Sequence, residues 1–255
     1  MDNFLETLKQ VEAFTAENTV SVYCPISQLT LDFKPLTVTQ TKEMIKSKID
    51  TNPDIVEAGT RIANVYNKIA IENCIEGPDT AKNLTIIDRE IILFELRRSN
   101  DPIYIHDGAE INLSTISKNF SNVKPDKKLI SSQKKLKFKA GDVTLKLSIP
   151  SIEKDKRFND GLIKLCKDKK LNDILAELLI TEGCKYINSL TVGETDINVD
   201  DNTDPQEFVN LIQRLPTSVL NTVSEYITTV KTYRNTLFSI ENKLIELDSD
   251  FFSSI

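Results

Sequence analysis

The sequence predicts an α+β protein, and two segments carry most of that prediction. Residues 85–98 are apolar on nearly every side when they are placed on a helix, a pattern that only a well-buried helix can use. Residues 136–149 instead alternate apolar and polar side chains around a Gly-Asp pair, which is the pattern of a β-hairpin. Amphipathic helices and shorter alternating segments occur on either side of both.

The first half of the chain reads as helices with short strands between them. Apolar residues recur at helical spacing before residue 17, and Pro25 and Pro35 limit the alternating segments that follow to edges or ends of strands. Val38 and Met44 are expected on the buried side of the next helix. The predicted elements are a helix over 2–17, strands at 19–24 and 29–33, a helix from about 37, a turn at 52–54, a longer helix ending at Gly77-Pro78, the buried helix over 85–98 and a strand at 103–105.

The second half reads as hairpins and helices. We predict a division into an N-terminal part over residues 1–120 and a hairpin-and-helix part over residues 121–255. Gly183 is expected to end a helix. The predicted elements are a polar linker over 124–133, the hairpin at 136–149, helices over 152–166 and 170–182, a hairpin at 186–199, helices over 204–215 and 216–233, and a third hairpin between 237 and 247.

Charge is unevenly distributed along the chain. The net charge is -6, yet residues 118–170 hold 16 basic and 6 acidic side chains. Within that region Lys135, Lys137, Lys139 and Lys146 are expected to project together from the polar face of the hairpin, where they would bind a partner protein. Two alternatives remain: the lysines only keep the hairpin soluble, or the 118–170 region binds nucleic acid. An acidic chain with Phe138 as the one aromatic among these lysines argues against nucleic acid.

The C-terminal end supplies the other candidate contact. Phe251 and Phe252 are aromatic side chains near a terminus, and such groups need an apolar pocket. We interpret them as anchors for a partner protein. The alternative is that they pack into their own fold.

The motifs of common enzymes and metal sites are missing from the sequence. His106 and Asp107 would form an acid/base pair in a hydrolase, but no nucleophile stands in a recognisable setting. Residues 200–204 resemble the opening of a calcium loop, which fails because Pro205 and Leu211 replace the required Gly and Glu. With no phosphate-binding glycine motif either, we expect a protein that is not an enzyme and has no catalytic, cofactor-binding or metal-binding residues.

Compartment is indicated by the cysteines and by the apolar runs. The four cysteines are widely separated and form no C-x-x-C pair, which favours reduced thiols over disulfides. Residues 1–9 do not look like a signal peptide, and no apolar run reaches the roughly 18 residues of a membrane span. The expected compartment is a cytosol.

Three segments in a fixed order resemble a known family. They are residues 35–43 (PLTVTQTKE), 69–75 (IAIENCI) and 84–98 (LTIIDREIILFELRR), with a looser likeness at 214–216 and 247–252. The chain in this way resembles the baseplate protein family of T-even-type myoviruses, which contains a hub subunit and a related hub assembly catalyst.

That resemblance implies a bacteriophage protein assembled in the cytoplasm of the host bacterium and located in the virion, at the tail baseplate. It implies a structural or assembly role in the hub region, through association with other baseplate, hub or tail proteins or with further copies of the chain. The alternative within the same process is a transient assembly chaperone that is absent from the virion. The family has no catalytic residues to carry over.

Overall fold

The computed structural model describes residues 6–7, 18–49, 55–106, 108–130, 137–166, 171–241 and 243–253. The predicted α+β class is confirmed, because helices are combined with small antiparallel sheets. Apart from residues 6–7, the helix predicted over 2–17 lies outside the described residues, as does the turn at 52–54. The helices are α1 (Val38–Ile49), α2 (Ile55–Asn73), α3 (Pro78–Lys82), α4 (Ile86–Asn100), α5 (Leu113–Asn122), α6 (Ile152–Cys166), α7 (Leu171–Lys185), α8 (Pro205–Ile212), α9 (Thr217–Leu237) and α10 (Ser249–Ser253).

Within the described residues the strands form hairpins and one larger sheet. Three antiparallel pairs, β1–β2, β3–β4 and β9–β10, stand alone, and the larger sheet has the order β5-β6-β7-β8. Each predicted hairpin is therefore present, the third with two-residue strands. The strands are β1 (Val20–Cys24), β2 (Leu29–Phe33), β3 (Ile103–His106), β4 (Ala109–Asn112), β5 (Lys137–Ala140), β6 (Val143–Leu147), β7 (Ile187–Val192), β8 (Thr195–Asn198), β9 (Ser239–Ile240) and β10 (Lys243–Leu244).

Helix α4 is the buried helix that the sequence predicts. It begins at Thr85, whose side chain accepts a hydrogen bond from the backbone N–H of Asp88 while the Asp88 carboxylate bonds back to Thr85, a capping box. The same carboxylate accepts from the Ile26 N–H at 3.2 Å and from the Ser27 hydroxyl at 2.7 Å. Asp88 is thus fully buried and joins the start of α4 to the turn between β1 and β2.

The hydrophobic core includes residues from both predicted parts of the chain. The ring of Phe94 on α4 lies 5.8 Å from that of Phe238 and 5.5 Å from that of Phe251, centroid to centroid. Aromatic pairs at such separations pack favourably beyond the area they bury. The division at residue 120 stays a prediction, but the two sides of it share one buried cluster.

A buried ionic cluster connects four helices. Asp155 on α6 accepts from Lys185 of α7 at 3.0 Å and from Arg89 of α4 at 3.1 Å. Asn67 of α2 and Asn159 of α6 also donate to this carboxylate, at 2.9 and 3.1 Å. Burial raises the pKa of Asp155, but the charges of Lys185 and Arg89 outweigh burial and hold it below its ordinary value.

The prediction that Gly183 ends a helix is wrong, because α7 continues to Lys185. A Cβ atom at Gly183 would lie 3.4 Å from a methyl carbon of Val223 on α9. This is an ordinary van der Waals distance, so Gly183 is neither a helix end nor required by the packing of α7 against α9.

The expectation that Val38 lies on the buried side of α1 is also wrong. Val38 is 72% exposed, whereas Met44 is 2% exposed. Val38 is the first residue of α1, one turn and a half before Met44, so the buried stripe of this helix does not extend to its N-terminus.

The cysteines and the apolar helices can be located in the structure. Cys24, Cys74 and Cys184 are free and buried, and the side chain of Cys166 is outside the description. Among the described helices, none is both long enough and apolar enough to span a bilayer.

Candidate functional site

The lysines singled out in the sequence lie on one face of the four-stranded sheet. Lys137 on β5 pairs with Lys146 on β6, and Lys139 pairs with Thr144. Directly opposed residues share a face, so these side chains project together. Lys137 and Lys139 are exposed and Lys146 is half-buried. Lys135 lies outside the described residues.

This polar face continues across the sheet. Lys146 pairs with Ser189 on β7, which pairs with Asn198 on β8, and the neighbouring row runs from Thr144 through Thr191 to Asp196. The opposite face is apolar and packs on α9. The name "polar face" is used below for the eight residues Lys137, Lys139, Thr144, Lys146, Ser189, Thr191, Asp196 and Asn198. Its charge runs from lysines at β5 to a carboxylate at β8.

A β-bulge interrupts the ladder at the end of the polar face. Pairing between β6 and β7 shifts between Lys146 and Leu147, so that Leu147 pairs with Ile187 and Asn188 has no direct partner on β6. The Asn188 amide donates instead to the Ser148 hydroxyl at 2.7 Å. Bulges redirect side chains at the margins of sheets, and this one opens a cavity beside the start of α6.

The cavity has a volume of about 690 Å³ and is lined mainly by polar groups. One wall is the end of the polar face, with Lys146 and Ser189, and another is the first turns of α6 with Ser151, Lys154 and Arg157. The loop after β8 closes a third side. The polar face and this cavity together form the candidate functional site.

Lys154 is the most unusual residue of the cavity. Its ammonium group donates to the backbone carbonyl of Ile187 at 2.6 Å and to the side-chain oxygen of Asn188 at 3.3 Å. Its side chain is 8% exposed. Burial, followed by the charge of Arg157, lowers the pKa of Lys154 to about 7. Both hydrogen-bond partners are neutral, so neither stabilises the charged form as a carboxylate would.

Arg157 is the second cation beside Lys154. One of its terminal nitrogens donates to the Asp200 carbonyl at 2.6 Å and lies 3.7 Å from the Asp201 carboxylate. That carboxylate is 96% exposed, so solvent screens the pair strongly. The Arg157 Nε is buried and, within the part of the chain that the structure describes, has no hydrogen-bond partner.

Phe251 and Phe252 do not belong to an exposed contact surface, which corrects their interpretation as partner anchors. Both are 0% exposed. The Phe251 ring lies 5.2 Å from that of Tyr104, and the Phe252 ring lies 5.7 Å from that of Tyr66. Arg97 donates from its Nε to the Phe251 carbonyl at 3.0 Å, which fixes the backbone of α10. Both rings instead pack into the core of their own chain, which was the alternative interpretation.

His106 stands at the end of β3. Its Nδ1 lies 3.4 Å from the Tyr104 hydroxyl, and Asp107 lies outside the described residues. The acidic turn at 200–204 ends in a helix cap: the Asp204 carboxylate accepts from the N–H groups of Gln206 and Glu207 at the start of α8.

The cavity was missed at the sequence level because its residues come from distant segments. The sequence does contain a signal for the buried ionic cluster nearby: Asp155 follows Ile152 by three residues and precedes Phe158 by three, which places a carboxylate on the apolar stripe of α6. No comparable signal marks Lys154, which looks like one more charge in an exposed run. Comparison with known proteins adds nothing to this picture, since no family model, curated protein or solved structure matches the chain.

Proposed function

We propose that this chain is a structural or assembly protein of the baseplate of a contractile-tailed phage, in the hub region, and that it acts by association with other baseplate proteins. The likeness of the segments at 35–43, 69–75 and 84–98 supports the phage assignment. The observation that carries the association role is the polar face, with exposed Lys137 and Lys139 on the edge strand β5 of an otherwise acidic protein.

Charge complementarity is the physical reason for proposing that the polar face binds another protein. Exposed lysines on a sheet edge discourage uncontrolled strand pairing, and they attract an acidic surface and set its register. Since the rest of the chain is acidic, another copy could supply that surface as well as a different baseplate subunit.

Exposed aliphatic groups add to this support. Leu179 on α7 is 73% exposed and borders a groove between α7 and α9 that also contains Leu220 and Ile227. Ile105 on β3 is 60% exposed. Single exposed aliphatic residues are common on monomeric proteins, so these side chains count only together with the charged face.

The first test removes the gene from the phage. We expect particles without baseplates or without tails in electron micrographs, and normal infectious particles would refute the proposal. Mass spectrometry of purified wild-type particles then separates the two versions of the role. A near-stoichiometric amount of the chain indicates a structural subunit, and its absence indicates an assembly chaperone.

The second test addresses the polar face directly. The double charge reversal Lys137→Glu with Lys139→Glu should fail to complement the deletion, although the purified variant keeps the wild-type melting temperature because both side chains are exposed. The matched control reverses two exposed lysines outside the four-stranded sheet, Lys42 on α1 and Lys243 on β10, and should complement. Full complementation by the first variant would remove the polar face from the proposal.

The same double variant also tests the alternative function, nucleic-acid binding. Retention of the wild-type protein on DNA that falls steeply with salt and disappears in the Lys137/Lys139 double variant would favour it over protein association.

A further inference from the structure

The cavity beside α6 contains a buried cation whose counter-ion the described chain does not provide. Lys154 has no acidic partner within the described residues, and its two hydrogen-bond acceptors are neutral. A buried charge without an opposite charge is costly, so the neutral form of such a group is favoured until a counter-ion binds beside it.

A second buried lysine of the same protein serves as the internal comparison. Lys185 is 3% exposed, much like Lys154, but it lies 3.0 Å from the Asp155 carboxylate. Burial lowers the pKa of Lys185, yet Asp155 and Glu182 more than reverse that effect, and the pKa ends above its ordinary value. The fold thus provides a counter-ion for one buried lysine and leaves the other facing a cavity.

Other charged and titratable groups near Lys154 do not supply the missing charge. Arg157 and Lys146 are cations that line the same cavity. Cys184 of α7 lies behind Lys154, but burial raises the pKa of its thiol to about 12, so it is protonated at neutral pH. Asp201 also lines the cavity, but its carboxylate is 96% exposed and pairs with Arg157.

Two neutral hydroxyl groups of the cavity can act as donors. The Ser148 hydroxyl already accepts from the Asn188 amide, and the Ser151 hydroxyl accepts from the Lys154 backbone N–H at 3.2 Å. A hydroxyl that accepts one bond keeps its own hydrogen to donate elsewhere. Two such hydroxyls beside the cations favour a ligand that only accepts hydrogen bonds.

We propose that this cavity is a binding site for an oxyanion, a phosphate or carboxylate group of a small molecule, with Lys154 and Arg157 supplying the charge and Ser148 and Ser151 donating hydrogen bonds. The anion completes the ion pair that the fold leaves open. This site is distinct from the exposed lysines of β5, and it requires neither a phage origin nor a protein partner.

The test measures ligand binding to the full-length protein. Inorganic phosphate, and in a separate arm succinate, is titrated in a calorimeter and in thermal-shift experiments, with sodium chloride at equal ionic strength as reference. We expect saturable binding and a rise in melting temperature with phosphate, with succinate or with both, and the arm that responds identifies the class of anion. No saturable response in either arm would overturn the proposal.

Substitutions connect the binding to the cavity. Lys154→Met keeps an unbranched side chain of similar size and removes its charge, and it should weaken the apparent affinity at least about tenfold, a change of ~1.4 kcal/mol. Lys164→Met, an exposed lysine on the same helix, is the matched control and should bind like the wild type. If Lys154→Met fails to fold, Arg157→Met serves in its place. Binding that survives loss of both cations would refute the assignment.

Proton uptake provides a readout that a merely structural lysine would not give. Since the pKa of Lys154 lies at about 7 in the free protein, an anion bound beside it favours the protonated form. Calorimetry of phosphate binding near pH 7.5 in buffers of different ionisation enthalpy should therefore show proton uptake by the wild type beyond that of Lys154→Met. Equal uptake by both proteins would contradict the role given to Lys154.

Discussion

Replacing Asp155 by Asn tests how much the buried ionic cluster contributes to the fold. The substitution keeps the shape of the side chain and removes one charge between Lys185 and Arg89, whose side chains are 3% and 7% exposed. Removing one partner from a buried ion pair costs about 3–5 kcal/mol, because the remaining charge is buried without compensation.

The expected magnitude lies near the lower end of that range. Lys185 keeps its contact with Glu182, whose side chain is 44% exposed, and Arg89 keeps Glu90 at 4.0 Å. These remaining carboxylates offset part of the lost attraction. We therefore expect Asp155→Asn to lower the free energy of unfolding by about 3 kcal/mol at pH 7.

Urea denaturation followed by circular dichroism measures this difference. Asp160→Asn is the matched control, since Asp160 is an exposed carboxylate on the same helix, and it should change stability by less than about 1 kcal/mol. A cost below about 1 kcal/mol for Asp155→Asn would refute the view that this cluster is a major support of the four-helix junction.

The pH dependence of the stability provides a second test of the Asp155 cluster, because the direction of the change follows from the pKa of Asp155. The pKa of Asp155 is below its unfolded value, so its contribution is present above that unfolded value of about 4 and is lost as the pH falls through the folded pKa. The stability difference between wild type and Asp155→Asn should therefore shrink on acidification below about pH 4. A difference that stays constant there would mean that charge is not its origin.

Three further predictions concern other parts of the fold. Phe251→Ala should lower the free energy of unfolding by about 3–5 kcal/mol in urea denaturation, as expected for a fully buried aromatic ring. A change near zero would contradict the burial of this ring. Gly183→Ala should be neutral or stabilise the fold by up to about 1 kcal/mol. Gly161→Ala should stabilise it less, because its Cβ would meet Pro205 at 3.3 Å. The reverse order of melting temperatures would contradict this packing. Thr85→Ala should lose about 1–2 kcal/mol through the capping box, and Thr85→Ser should retain most of it.

Helix α4 shows what the sequence alone could predict. Its apolar residues on nearly every side require burial, and Thr85 before it and Arg97 and Arg98 in its last turn match the needs of helix ends. The structure adds that Arg97 is itself buried and donates to the carbonyl oxygens of Ile103 and Phe251. That role depends on two segments meeting in space, so no local pattern contains it.

The helix in segment 109–122 has a clear sequence pattern, although it was not among the predicted elements. Leu113, Ile116 and Phe120 stand at helical spacing and are all buried in α5, and Asn112 caps the helix by accepting from the N–H of Ser114. The short strand β4 before it has no such pattern and exists because it pairs with β3. Pairing of this kind is decided by the partner strand and not by propensity.

Only part of the candidate site, too, could be predicted from the sequence. The lysines of the polar face follow from period-two alternation, which fixes their common side as soon as the hairpin forms. The direction in which Phe251 and Phe252 pack was open, because a terminal aromatic fits a core and an interface equally well. The cavity depends on a bulge near Lys146 and on Lys154 in the first turn of α6, and neither has a sequence pattern.

The two buried lysines show that burial alone does not decide how a charged group behaves in this protein. Burial lowers the pKa of both, but Lys185 has Asp155 and ends with a raised pKa, while Lys154 has only neutral acceptors and ends at about 7. The difference therefore comes from the carboxylates of Asp155 and Glu182, which both contact Lys185. The described chain places an anion beside Lys185 and an open cavity beside Lys154, so the oxyanion that we propose would act on Lys154 as Asp155 acts on Lys185.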